Sequence, residues 1–133
     1  QRDSALGVIT SPVWGPDMDN AANKKFVAEF EKEYKRIPSN YAAQSYDGAQ
    51  LLDSAIAKVK GHVEDKAAFM AALKQADFPS VRGDFKFGNN NFPIQDLSVF
   101  EVVKDAQGRF TLKKIATPLK AQQDAYHQDC PMK

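Results

Sequence analysis

"PSNYAAQSYDGAQLLDSAI", residues 38–56, decides how the chain folds. Pro38 ends whatever helix precedes it, because the residue before a proline avoids the α region. Ser39 is a helix-capping type, since its hydroxyl can accept from the free N–H groups of a first turn. The helix it opens runs to about Lys60, and Gly61 is a natural stop. Ser45, Ala49, Leu52, Ile56 and Val59 share one side, which is the predicted buried face. Two tyrosines stand in the first turns. Tyr46 is five residues beyond Tyr41, about 140° further around the helix, so the two cannot serve one face. Asp47, beside Gly48, is either a buried, hydrogen-bonded carboxylate or a solvated one.

Upstream, "LGVIT" (6–10) is short, apolar and β-branched, and predicts a strand. "SPVWGPDMDN" follows, and Pro12, Gly15 and Pro16 make it a loop. Asp19 or Asn20 can cap the next helix. In that helix Phe26, Phe30 and Tyr34 recur every four residues, with Val27 and Ile37 beside them, as one apolar face. Glu31 and Lys35 lie at i,i+4 on the wet side. Downstream, Asp65 or Glu64 opens a third helix whose predicted buried stripe is Phe69, Leu73 and Ala76, with Pro79 closing it. The grammar then changes. "SVRGDFKFGNNN" and "LSVFEVVKDAQGRFTLKKI" alternate in places and are rich in Val and Phe. "DAQG" (105–108) predicts a hairpin turn, with Gly108 taking a positive φ. Beyond Ile115 the tail turns polar and is expected on the surface.

The chain has 133 residues, 43% hydrophobic and 26% charged, which suits one globular domain with a core. Its 18 Lys plus Arg against 17 Asp plus Glu lack the basic excess of a nucleic-acid binder. No run is long and apolar enough to span a membrane. Gln1 does not look like a native start, so the chain is expected to be processed or cut from something longer. Cys130 is the one cysteine; it is free or paired with a partner outside this sequence.

Few constellations carry chemistry. His127 and Cys130 are the only close His/Cys pair, and a zinc site needs more ligands; the plain reading is a frayed tail. "DMDN" (17–20) lacks the glycine and distal glutamate of a calcium loop and reads as capping. No serine or cysteine has a placed base, and no glycine-rich phosphate loop exists. The sequence points to no enzyme, cofactor or metal. The order is one strand, three helices, then antiparallel strands. Three amphipathic helices need more sheet than this to cover them, so the chain reads as part of a larger fold.

The feature order is specific: a strand, a Pro-rich crossover, an F-x3-F-x3-Y helix, a P-S-x-Y-A-A then Y-D-G-A helix, a VRG-x-F-x-F strand and a last hairpin. Over nearly its whole length the chain resembles the C-terminal portion of periplasmic solute-binding proteins of ABC transporters, in the leucine/isoleucine/valine-binding family of extracellular ligand-binding receptors. The resemblance implies an α/β chain, a fragment of the two-lobed type I periplasmic-binding-protein fold, with crossovers near Thr10–Val13 and Pro93–Leu97. Residues 1–12 would end a second-lobe strand and cross over. Residues 13–92 would form the helical part of the first lobe. Residues 93–133 would make a crossover, the second-lobe hairpin and a polar tail.

The same resemblance implies function. The protein would bind a small carboxylate-bearing solute, an amino acid or aromatic acid, between its lobes, in the periplasm, and deliver it to a membrane permease. The alternative is a ligand-sensing regulatory domain of the same fold. In this family an aromatic at the N-terminal edge of the helix matching 40–60 touches the ligand; here that is Tyr41. A tyrosine supplies a flat apolar wall and one hydroxyl, and a helix start favours an anion. Tyr46 would pack inside the lobe. Trp14, just past the first crossover, either lines the cleft rim or pins the hinge. The fragment alone would self-associate or pair with the rest of its parent chain.

Overall fold

A computed structural model describes residues 2–129. A 3-10 turn, Arg2–Ala5, precedes β1 (Ile9–Thr10). Three helices follow: α1 (Ala21–Tyr34), α2 (Asn40–Lys58) and α3 (Lys66–Lys74). Then come β2 (Lys86–Phe87), β3 (Pro93–Lys104) and β4 (Phe110–Gln122). All strand pairing is antiparallel: β3 pairs with β4 along one side, and with β1 and β2 elsewhere along its length.

The helix starts follow local side-chain chemistry. Asn20, Ser39 and Asp65 each place a side-chain oxygen on a first-turn N–H, of Asn23, Ala42 and Ala68 respectively. Each satisfies a donor that the helix itself cannot. The hairpin turn also forms as its residues dictate. Gly108 takes φ 75°, and its N–H donates to the Asp105 carbonyl at 2.9 Å.

Helix ends and strand lengths depart from expectation. The first strand is confined to Ile9–Thr10 rather than 6–10. α1 stops at Tyr34, three residues before the one that Pro38 restricts, because Lys35 turns left-handed (φ 54°) and caps back to Glu31. Lys35 therefore makes no ion pair with Glu31, which is held by Arg109 instead. α2 ends at Lys58, and Lys60 (φ 52°) and Gly61 (φ 83°) carry the left-handed exit. α3 ends at Lys74, well ahead of Pro79, with Ala76 left-handed at φ 48°. β4 does not dissolve after Ile115 but continues to Gln122. The residues after it turn back onto the 88–91 loop, where Asn89 and Asn90 donate to the His127 carbonyl and the Asp124 carboxylate.

The core joins the helices to the hairpin. Trp14, Met18, Phe26, Ala43, Val81 and Phe100 are buried together, with Phe30, Tyr46 and Leu112 packed against them. Trp14 meets Phe26 edge-on at 6.0 Å, and Phe26 lies 4.7 Å from Tyr46. Full burial of each large apolar side chain contributes about 1.5–3 kcal/mol. Gly15 allows this closeness, since a Cβ there would fall inside the Phe100 ring.

The α2 face differs from the expected one. Ala43, Asp47 and Ala55 are its buried residues, whereas Leu52 and Ile56 are 49% and 41% exposed. Small side chains let α3 and the 78–82 loop approach α2 closely, and this tertiary choice overrides the count of large apolar residues. The α3 stripe comes out graded: Ala72 and Ala76 are buried, Phe69 and Leu73 half-buried.

Candidate ligand-binding face

Tyr41 and Tyr46 separate as their spacing requires. Tyr41, in the first turn of α2 beside the Ser39 cap, is 78% exposed. Tyr46 is half-buried against Phe26. Tyr41 thus presents ring and hydroxyl outward at the positive end of a helix, where an anion is favoured. Next to it, Asn40 Oδ1 is out of water without a hydrogen-bond partner. Sequence alone did not single out Asn40; it resembled an ordinary first-turn residue.

Trp14 lies elsewhere. Its indole is 1% exposed and donates through Nε1 to Asn23 Oδ1 at 2.7 Å. Asn23 Nδ2 in turn donates to the carbonyls of Pro16 and Met18. The one donor of this tryptophan is thus satisfied inside the core. Tyr41 and Trp14 are therefore not brought to one surface.

Asp47 is the buried carboxylate of the two readings. It is 1% exposed. It accepts from Ser80 Oγ at 2.6 Å, the Val81 N–H at 2.9 Å and Arg82 Nε at 3.0 Å. Arg82 also stacks over Phe85, 4.4 Å from the ring centroid, and donates from Nη1 to Gln95 Oε1 at 3.1 Å. These contacts lock α2 to the 80–82 loop and reach β3 beyond it. The network is a support: three donors from the 80–82 loop hold the Asp47 carboxylate.

The remaining sequence candidates are structural or lie outside the description. Asp17 accepts from the Lys114 N–H at 2.6 Å, Asp19 pairs with Lys24, and Asn20 caps α1 while donating to the Val81 carbonyl. Cys130 lies outside the described residues. Among the described residues, no three His, Cys, Asp or Glu side chains are placed to hold a metal ion, and no helix is long and apolar enough to cross a membrane.

Comparison with solved structures matches this architecture. A solute-binding protein of an ABC transporter from R. palustris, in complex with benzoate, is 31% identical with a TM-score of 0.84, over 93% of this chain and 33% of that one. Another from Rhodopseudomonas palustris BisB5, in complex with 3,4-dihydroxybenzoic acid, is 30% identical with a TM-score of 0.81, over 92% of this chain and 33% of that one. A leucine-binding protein from Thermotoga maritima shares the fold at 20% identity and a TM-score of 0.70, over 88% of this chain and 33% of that one. The chain thus spans about a third of the length of the structures it matches. A comparison with curated proteins finds no match. A family model described as periplasmic binding protein matches residues 1–108. With its helices and antiparallel strands forming part of a type I fold, this chain belongs to the periplasmic binding protein family.

Proposed function

We propose that the protein containing this chain is the solute-binding component of an ABC transporter, working in the periplasm and passing its ligand to a membrane permease. The ligand is a small carboxylate-bearing solute, an aromatic acid or an amino acid, held between two lobes. Residues 1–12 end a second-lobe strand and cross over, 13–92 are the helical part of the first lobe, and 93–133 carry the crossover, the second-lobe hairpin and a polar tail. One observation carries the reading: Tyr41 stands 78% exposed at the capped start of α2, on a chain 31% identical to a solute-binding protein solved with benzoate. A free aromatic wall beside N–H groups at a helix start matches a flat acid better than a sugar or a cation.

Tyr41 forms part of the ligand wall. Trp14, buried in the core, holds the start of α1 through Asn23. Closure is a hinge motion about the crossovers with the ligand bridging the lobes. Thermal denaturation of the full-length parent with benzoate, 4-hydroxybenzoate and leucine tests the reading. A ligand at 100 times its Kd adds about 2.7 kcal/mol of stability. An unchanged melting temperature with all three acids at millimolar concentration would reject this ligand class.

A further inference from the structure

The aromatic row of α1 does not end in the core. Phe26 is 4% exposed, whereas Tyr34, further along the same face, is 59% exposed. Phe30 stands between them, 5.7 Å from Phe26 and 4.5 Å from Tyr34, centroid to centroid. Tyr46 comes across from α2 to within 4.7 Å of Phe26. A single exposed apolar side chain is ordinary on a protein surface, but Tyr34 belongs to a shaped feature. With Glu29, these four aromatic residues line an open recess of about 180 Å³.

Shape and charge restrict what the recess can hold. Its neighbouring rings are tilted to one another by 56°, 42° and 39°. They make a cup, not a parallel-walled slot for a flat group. Ring faces carry the negative part of an aromatic quadrupole and attract a cation. Glu29 adds a full negative charge at the rim. Its ion pair with Lys25 is 4.0 Å long and the two side chains are 61% and 68% exposed, so that pairing is weak. Glu33 is exposed four residues on along the same side of α1 and strengthens the negative field. An anion is thus disfavoured here, in contrast to the helix start at Tyr41. A hard metal ion needs more oxygen ligands than one carboxylate supplies, and no group of three metal-ligating side chains occurs among the described residues. A methylated ammonium group meets every condition: it is round, apolar on its surface, positively charged and small.

We propose that this recess is a second binding site, separate from the one at Tyr41, and that it takes a methylated ammonium ion. The proposal goes beyond the carboxylate-binding reading and does not depend on it. Phe26 is the floor, Phe30, Tyr34 and Tyr46 supply ring contacts, and Glu29 is the counter-charge. Tyr41 is not among the walls; it lies around another side of α2 from Tyr46.

The test uses the full-length parent and two probes of one shape, choline and its uncharged isostere 3,3-dimethyl-1-butanol. Saturation-transfer NMR on their methyl protons reads contact with the protein, and titration gives each Kd. Choline should bind at millimolar concentration, about 2- to 30-fold more tightly than the isostere. Tyr34→Leu keeps an apolar side chain without a ring and should weaken choline by about 2- to 30-fold. Tyr34→Phe keeps the ring and should bind choline as the wild type does. Both changes fall on a mostly exposed side chain, so the core is spared. Glu29→Gln should weaken choline by about 2- to 5-fold and leave the isostere unchanged. No saturation transfer to choline, equal affinity for the two probes, or a Tyr34→Leu Kd equal to that of the wild type would overturn the proposal. Displacement of choline by benzoate would overturn it too, by placing the cation in the carboxylate site.

Discussion

Arg82 donates from Nε to Asp47 Oδ2 at 3.0 Å, and the two side chains are 12% and 2% exposed. They are 35 residues apart in sequence, so this pair joins parts of the chain that helix propensity cannot bring together. Asp47 has two further donors, Ser80 Oγ and the Val81 N–H. Its charge is thereby balanced by Arg82 and both its oxygens accept hydrogen bonds, the condition under which a buried ion pair is tolerable. Removing one partner is costly because the other stays buried. Asp47→Ala should destabilise the parent by about 3–5 kcal/mol, read as a lower midpoint in urea with little change in slope. A loss below about 1 kcal/mol would mean that water reaches Arg82 and that the pair is a surface one.

Gly15 and Phe100 give a steric prediction. A Cβ at position 15 overlaps the buried Phe100 ring. Gly15→Ala should cost about 1–3 kcal/mol through overpacking. Phe100→Leu should cost stability by itself and relieve part of the Gly15→Ala penalty. A double-mutant cycle reads that coupling, and strictly additive losses would contradict the contact.

Tyr41 and Tyr46 should behave oppositely. Tyr41→Ala in the full-length parent removes ring contacts and one hydroxyl, an affinity loss of about 1–3 kcal/mol, or roughly 5- to 150-fold. Its melting temperature should hardly move, because the side chain is already exposed. Tyr46→Phe, on a ring packed with Phe26, should alter stability more than binding. Calorimetric titration with benzoate measures both. Lost binding with normal melting in the Tyr46 variant would show the two tyrosines to be reversed.

These contrasts show what local sequence could and could not convey. The Asn20, Ser39 and Asp65 caps and the Gly108 turn were legible, because each depends on residues within a few positions. The order of elements and the family were legible for the same reason, being a series of local signals. The buried side of α2 was not. The large side chains Leu52 and Ile56 suggested one face, while α3 and the 80–82 loop selected Ala43, Asp47 and Ala55. Nothing near Trp14 announced Asn23 as its partner, since the loop bringing them together is irregular. Asp47 could be flagged as unusual, but the choice between buried and solvated needed Arg82, far along the chain. The length of β4 was hidden by Pro118 and by Lys113, Lys114 and Lys120, residues that protect an edge strand as readily as they end one.

The hairpin turn should respond to acid. Asp105 accepts from the Arg109 N–H, from Arg109 Nε and from the Gln107 N–H. Partial desolvation pushes its carboxyl up, but these hydrogen bonds and the Arg109 charge outweigh it and hold the carboxyl below its ordinary 3.8. A depressed carboxylate stabilises the fold above its unfolded value, and that contribution disappears as pH falls through the lowered folded value. Exchange protection of the Gln107 and Arg109 amides should therefore hold above pH 3.8 and fall below it. In Asp105→Asn the protection should be lower throughout and lose this pH step. A step that persists in the variant would assign it to another group.

The 133-residue chain by itself should self-associate. Phe26 is covered by Trp14 and Tyr46, so part of the apolar surface closes internally. Leu52 and Ile56, at i,i+4 on α2, do not: they are 49% and 41% exposed. Leu6, Val8 and Ile9, around β1, are 42%, 49% and 56% exposed. β1 pairs with β3 along one side, and among these exposed residues none is charged to discourage a further strand. β4, the opposite edge, carries Lys113, Lys114, Pro118 and Lys120. Association should therefore use α2 and the β1 edge rather than β4, by patch covering or strand exchange. Light scattering on the isolated chain should show dimers or larger species at tens of micromolar. Leu52→Lys with Ile56→Lys should reduce them, while Lys113→Ala with Lys120→Ala should leave the distribution as it was. A monodisperse monomer with a sharp melting transition would show that the chain covers its own core and needs no further part of its parent.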